Sequence, residues 1–293
     1  MADRKMALTA SSPQRIVLER IVRNALEEDI GRGDLTTSSV VSGDAKGDAI
    51  FRARASLVLC GLPVIQTVFR LVDEHVKVTE ERQDGDALVK GDVAARVSGP
   101  ARSILLGERV ALNFAQRMSA IATIARRYVE ALPDKSNCRI ADTRKTTPGL
   151  RALERYAVRC GGAHNHRNDL SSAVMIKDNH IAACGSVGEA VRRAHANAPH
   201  TTRIECEVDR MDQLAEAIRA GADIIMLDNF DNDAVKEAVA YARINATRPT
   251  ILEASGGITL ERIPLLATLG VDVISVGALT HSAPSVDIGL DWA

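Results

Sequence analysis

The stretch Asp142-Thr143-Arg144-Lys145-Thr146-Thr147 sets two cations beside hydroxyl-bearing residues, directly after a short apolar run at 138–141. Other apolar runs end in chemistry too. Residues 173–176 lead into Lys177-Asp178-Asn179-His180, and 204–208 contain Glu205 and Glu207. Residues 223–227 lead to Asp228-Asn229, 250–252 to Glu253-Ala254-Ser255-Gly256-Gly257, and 271–276 close on Ser275-Val276-Gly277-Ala278. Parallel α/β architectures bind ligands at the carboxyl ends of their strands. Polar or glycine endings on all of these runs therefore read as one functional rim.

The rim sorts by chemistry. Arg144, Lys145, Lys177 and the His166-Arg167 pair are cationic and suit an anion with several oxygens, since arginine grips a carboxylate or phosphate with two parallel bonds and lysine acts as a point charge. Surface salt bridges would account for the charges, but not for Arg-Lys beside Thr-Thr in a strand-end loop. Glu207 and Asp228 end adjacent expected strands. Alternation puts Glu205 and Glu207 on one face, so spacing does not choose between the two glutamates. Such a carboxylate pair can hold Mg²⁺, usually through water, or favour positive charge developing on a sugar ring. Ser255-Gly256-Gly257 and Val276-Gly277-Ala278 lie after the last two runs, where glycine lets the backbone approach a phosphate. His164-x-His166 has no Cys or His cluster to support a metal. A phosphate seat, a carboxylate or metal pair and a cationic pocket for a second anion are together what phosphoribosyl transfer needs: a leaving pyrophosphate to neutralise, an oxocarbenium-like ribose and a nucleophile held in line.

The elements that must position these groups follow from periodicity. Residues 1–12 read as a flexible tail. Ser11 offers a cap, with Pro13 in the first turn, for a helix running to about Glu28, and 28–37 is a turn-rich loop. Short β-like runs at 49–53, 56–60, 76–79, 87–89 and 93–97 predict a small sheet. A long helical pattern at 103–132 links to the second part of the chain. After Pro133, apolar runs alternate with amphipathic stretches such as 210–220, 231–243 and 259–269, which predicts repeating βα units around a parallel sheet. Six units fit, fewer than the eight of a closed barrel. The expected organisation is a tail (1–12), an amino-terminal α/β domain with its linking helix (13–132), an α/β barrel domain (133–280) and a carboxyl-terminal segment (281–293).

Composition narrows the function classes. Of 293 residues, 46% are hydrophobic and 26% charged, so a packed core is expected; with aromatics at 3%, that core is aliphatic. The formal charge is −1, which offers no global field for nucleic acid or a membrane surface. Scarce aromatics also argue against base-stacking platforms. The five cysteines form no C-x-x-C pair; reduced thiols in a cytoplasmic protein are expected. Residues 1–13 lack the apolar core of a secretory signal, and no apolar run approaches about 20 residues.

Taken in order, Asp142-Thr143-Arg144-Lys145-Thr146-Thr147-Pro148-Gly149-Leu150-Arg151, Asn165-His166-Arg167, Ile176-Lys177-Asp178-Asn179-His180, Leu227-Asp228-Asn229-Phe230 and Glu253-Ala254-Ser255-Gly256-Gly257-Ile258 resemble the motifs of quinolinate phosphoribosyltransferases. Gly31-Arg32-Gly33-Asp34-Leu35-Thr36-Thr37 and Gly107-Glu108-Arg109 with Leu112-Asn113 match that family's amino-terminal part. The resemblance covers nearly the whole chain. It departs mildly at Ala163 and Asp169, which stand where many bacterial members have glycine and which flank His166-Arg167. It implies an amino-terminal mixed α/β sandwich domain, an incomplete six-stranded α/β barrel, and a carboxyl-terminal tail returning to the first domain. It implies quinolinate and phosphoribosyl pyrophosphate as substrates, giving nicotinate mononucleotide, CO₂ and pyrophosphate with Mg²⁺; a related transferase with nicotinate or a molybdenum-linked acceptor is the alternative. By motif position Arg144, His166, Arg167 and Lys177, with Thr143, would bind quinolinate, and Lys145 would lie between the substrates. Glu207 and Asp228 would face ribose and metal, and Ser255, Gly256, Gly257, Val276, Gly277 and Ala278 would seat a phosphate. Arg109 would enter from a neighbouring subunit. That implies a homo-oligomer, a dimer with shared active sites, with a hexamer as the next order of assembly.

Overall fold

The computed structural model describes residues 10–293; the expected tail lies, as far as residue 9, outside the described residues. Two compact units are present: Met1–Arg126 with Thr146–Gly162 and Ala278–Ala293, and Arg127–Lys145 with Ala163–Gly277.

In the first unit, α1 (Arg15–Ile30) buries Leu18, Ile21, Val22 and Leu26. It starts later than a Ser11 cap would allow. Gln14 is the extended residue before the helix, and its carbonyl accepts the Leu18 N–H at 3.1 Å, so the first turn closes there with no side-chain cap. Gly31, at φ 54°, ends it. The loop expected at 28–37 gives way to a second helix, α2 (Leu35–Val40), because the Asp34 carboxylate accepts the Thr37 N–H at 2.9 Å and caps it. Strands β1 (Lys46–Ala53) and β2 (Leu57–Val58) precede α3 (Leu62–Val72), a helix that the β-branched sequence of this region conceals. Gly61 at φ 121° and Asp84, which accepts the Gly61 N–H at 3.0 Å and the Leu62 N–H at 3.1 Å, start α3. Next come β3 (Lys77–Glu80), β4 (Ala87–Leu88), β5 (Val93–Pro100) and the long α4 (Ala101–Glu130).

From later in the chain, α5 (Arg151–Cys160), α11 (Ala278–His281) and β12 (Ile288–Trp292) belong to this unit. The main sheet runs β12-β1-β5-β3, all antiparallel, and β2 pairs separately with β4. Ala49 lies opposite Trp292, and Asp291 pairs with Arg52 and Arg54. Arg117 on α4 donates to Glu154 of α5 at 2.8 Å and to the Thr280 carbonyl at 2.6 Å, while Glu154 accepts the Thr147 N–H at 3.1 Å. Glu154 is 1% exposed. Its removal takes from Arg117 and the Thr147 N–H a buried charged acceptor, so Glu154→Ala is expected to cost about 1–2 kcal/mol in denaturant unfolding; a change under about 0.5 kcal/mol would contradict this pairing.

The second unit is a six-stranded parallel sheet in the order β6-β11-β10-β9-β8-β7, an incomplete α/β barrel. Its strands are β6 (Arg139–Ala141), β7 (Val174–Ile176), β8 (Ile204–Val208), β9 (Ile224–Asp228), β10 (Ile251–Ser255) and β11 (Val273–Ser275). Its helices are α6 (Asp178–Cys184), α7 (Val187–Asn197), α8 (Met211–Ala220), α9 (Asn232–Asn245) and α10 (Ile263–Leu269). The first strand, β6, lies beside the last, β11, and the gap to β7 is partly closed where His164 bridges in parallel to Ala141. Ile204, Cys206, Val208, Ile225, Leu227, Leu252 and Ala254 alternate outward and are buried, as are Leu214, Ala217, Val235 and Ala238 of the covering helices. No described helix is long and apolar enough to cross a membrane.

Candidate active site

Register decides which side chains share the barrel interior. Glu207 pairs with Met226, which pairs with Glu253, and Asp228 pairs with Ser255. Laterally paired residues of a parallel sheet point to one side, so Glu205, Glu207, Asp228, Glu253 and Ser255 share a face. Ile176 pairs with Cys206, which sets Lys177 level with Glu207. The Lys177 Nζ lies 2.6 Å from the Glu207 Oε2. The strand β10 also runs further than the apolar pattern suggests, so Glu253, expected in a strand-end loop, lies within the strand at 3% exposure.

Arg144 and Arg167 both belong to the barrel unit. Burial first, then repulsion from Arg144, lowers the pKa of Arg167. The charges of Glu205 and Asp169 act in the opposite sense on Arg167. The loops that bear Arg144 and Arg167 are tied at their base. Asp142, fully buried, accepts from the Asn165 Nδ2 at 2.6 Å and from the His166 N–H at 2.7 Å. Thr143 Oγ1 accepts the Lys145 N–H at 3.1 Å, and Lys145 itself is exposed.

His166 separates the two glutamates that spacing leaves equivalent. Glu207 faces Lys177, whereas Glu205 faces His166: the Nε2 lies 3.3 Å from the Glu205 carboxylate and 3.4 Å from the Glu253 Oε1. Burial opposes charge on the imidazole, while the facing carboxylates of Glu205 and Glu253 favour it. Burial raises the pKa of Glu205, against the pull of His166. The other ring nitrogen limits what this cluster can be, because the Arg167 N–H donates to Nδ1 at 2.7 Å. An acceptor Nδ1 carries no proton, so this geometry describes the Nε2–H imidazole, and it outweighs the carboxylates' tendency to add a second proton. The three side chains converge closely enough to hold a metal. A metal on Nε2 would leave Nδ1 to carry the proton, and the Arg167 N–H already points there.

The glycine loop after β10 is set against β9. Asn229 takes the left-handed conformation at φ 57°, and its N–H donates to the Ser255 carbonyl at 3.0 Å. Gly256 and Gly257 follow at φ 80° and 57°. A Cβ on Gly256 would overlap the Asn229 side chain and lie 2.9 Å from its backbone nitrogen. Gly256→Ala is therefore expected to separate this loop from Asn229 and to raise the KM for the phosphate-bearing substrate at least about tenfold; an unchanged KM would contradict a ligand seat here. In the β11 loop, the Val276 N–H donates to the Ala141 carbonyl at 2.9 Å, ahead of Gly277 and Ala278. The buried Ser275 Oγ has no hydrogen-bond partner among the described residues.

The expected set thus divides. Thr143, Arg144, Lys145, His166, Arg167, Lys177, Glu207, Asp228, Ser255, Gly256, Gly257, Val276 and Gly277 belong to the barrel unit. Arg109 is exposed on α4, and Ala278 begins α11, both in the first unit. A cavity of about 680 Å³ reaches His166, Arg167, Glu205 and Glu253 from the amino-terminal ends of the strands, where Arg139 and Arg203 also line it.

Comparison with known proteins decides what this arrangement belongs to. The model of the quinolinate phosphoribosyl transferase N-terminal domain matches residues 34–119, and that of the C-terminal domain matches 121–291. The chain belongs to the quinolinate phosphoribosyl transferase family. Among relatives, a probable nicotinate-nucleotide pyrophosphorylase [carboxylating] from Bacillus subtilis (strain 168) is 47% identical over 94% of this chain and 93% of its own. The nicotinate-nucleotide pyrophosphorylase [carboxylating] of Homo sapiens is 39% identical over 94% and 91%. The crystal structure of NadC from Streptococcus pyogenes superposes with a TM-score of 0.90 at 40% identity, covering 97% of this chain and 99% of that one. Within this quinolinate phosphoribosyl transferase chain, residue types and spacing put Asp142 and Glu253 on the rim but gave neither them nor Asn165 a role of its own. The available signal was a carboxylate inside an apolar run, costly unless it serves a partner.

Proposed function

We propose that this chain transfers the phosphoribosyl group of phosphoribosyl pyrophosphate to quinolinate with decarboxylation, giving nicotinate mononucleotide, CO₂ and pyrophosphate in NAD biosynthesis. The observation that carries the reading is Asp142, which accepts from the Asn165 Nδ2 at 2.6 Å and the His166 N–H at 2.7 Å and so ties together the loops that bear Arg144 and Arg167. A dicarboxylate offers these two cations two charges of its own, whereas a monocarboxylate supplies one. Lys177 adds a third cation; it pairs with Glu207 at 2.6 Å, so a substrate carboxylate would compete for it.

The pyridine nitrogen attacks the anomeric carbon, and the bond to the pyrophosphate oxygen breaks with its electrons leaving on pyrophosphate. Glu207 and Asp228, on one interior face, stabilise the oxocarbenium character of the ribose. Lys145 neutralises charge between the two substrates. The carboxylate next to the ribosylated nitrogen then departs as CO₂; the electron pair stays on that ring carbon, stabilised by the adjacent positive nitrogen, and takes a proton from solvent. Ser255, Gly256, Gly257, Val276, Gly277 and Ala278 seat phosphate. The fit for Mg²⁺ rests on the donor set: Glu207 and Asp228 each engage one oxygen, with Lys177 and Asn229 respectively, and each retains a second for a hard cation or its waters. Mg²⁺ there would neutralise the departing pyrophosphate. The enzyme works in the cytoplasm, in keeping with five free cysteines. It works as a homo-oligomer, dimer or hexamer, in which the exposed Arg109 completes a neighbouring subunit's site.

An assay with quinolinate, phosphoribosyl pyrophosphate and Mg²⁺, with nicotinate as the parallel acceptor and a chelator control, tests this. Nicotinate mononucleotide and CO₂ from quinolinate alone are expected. Product only from nicotinate would overturn the dicarboxylate pocket.

A further inference from the structure

Glu205 and Glu253 have no obvious place in the transfer chemistry, and their positions are costly. Both are at least 97% buried, and they enter the barrel from β8 and β10 at points where an apolar side chain would pack without penalty. Both face the Nε2 of His166. On the opposite edge of the same ring, Nδ1 accepts the Arg167 N–H, and the His166 N–H is held by Asp142. A ring turned by 180° would set carbons against the carboxylates and against the Arg167 N–H, so the two glutamates specify one orientation. That orientation fixes the backbone at Arg167, whose Nη1 donates to the Ala173 carbonyl at 3.2 Å.

We propose that Glu205 and Glu253 are positioning residues: they lock the His166 imidazole so that its Nδ1 holds the Arg167 N–H, and in this way aim Arg167 at a carboxylate of the acceptor. The inference rests on the dicarboxylate reading of the pocket. Its expected signature is a loss confined to the acceptor. Glu205→Ala and Glu253→Ala raise the quinolinate KM about tenfold, while kcat and the KM for phosphoribosyl pyrophosphate change less than about threefold. Glu205→Gln, whose amide oxygen can still accept from Nε2–H in the place of the Glu205 Oε1, stays within about threefold of wild type. A general weakening of the fold would not yield that split or that rescue.

¹⁵N NMR of the full-length chain labelled at histidine supplies a readout independent of turnover. Wild type should show His166 Nδ1 unprotonated and Nε2 protonated, and the alanine variants a mixture of tautomers. A proton on Nδ1 in wild type overturns the proposal, even if the alanine variants do not fold. Alanine variants that keep both the wild-type tautomer and the wild-type quinolinate KM overturn it equally. If quinolinate is not turned over but the tautomers behave as expected, the acceptor assignment fails and the lock stands.

Discussion

Arg144→Ala is expected to lower kcat/KM for quinolinate by about 10²–10³ while leaving the KM for phosphoribosyl pyrophosphate within about twofold. Arginine gives a carboxylate two parallel charge-assisted bonds, and alanine leaves that carboxylate facing a partly buried pocket without them. The neighbouring Arg167 does not replace it, because each guanidinium can match one carboxylate plane. Removing Arg144 also relieves the repulsion on Arg167, whose pKa should rise toward its ordinary value. Separate titrations of each substrate, at saturation of the other, check the prediction. Equal losses for both substrates would place Arg144 outside the acceptor pocket.

The second large effect is expected at Asp228. Asp228→Ala should reduce kcat by about 10²–10³ and leave quinolinate affinity within about threefold, because the role proposed for the group is to stabilise charge that develops only as the ribose bond breaks. Its place supports this: it ends β9, level with Ser255 at the start of the glycine loop and on the same face as Glu207. Single-turnover kinetics beside equilibrium binding separate the two quantities. A variant with wild-type turnover would remove Asp228 from the chemistry. Glu207→Ala offers a contrast, since it also frees Lys177 from its 2.6 Å partner and so should alter both turnover and acceptor binding.

Most of the barrel is legible in the chain because its strands are buried runs bounded by turns. Runs at 138–141, 173–176, 204–208, 223–227, 250–252 and 271–276 all correspond to observed parallel strands. The first part of the chain is less legible. Residues 62–72 are rich in valine and isoleucine and read as strand or helix alike; Gly61, capped through Asp84 more than 20 residues away, makes them α3. The start of α1 is similar, with its first turn set by the Gln14 carbonyl and no side-chain cap.

Sequence by itself determined the ingredients of this protein: parallel βα units, cations after β6 and β7, carboxylates on β8 and β9, and glycine after β10 and β11. These follow from local periodicity and residue chemistry, which the chain carries wherever it folds. Only the tertiary structure decided which ingredients meet. Strand register divided the glutamates, giving Glu207 to Lys177 and Glu205 to His166, because lateral pairing fixes the level of each side chain and alternation alone fixes only its face. It likewise drew Glu253 into the interior and Asp142 onto Asn165 and His166, contacts between segments far apart in the chain that no local pattern encodes.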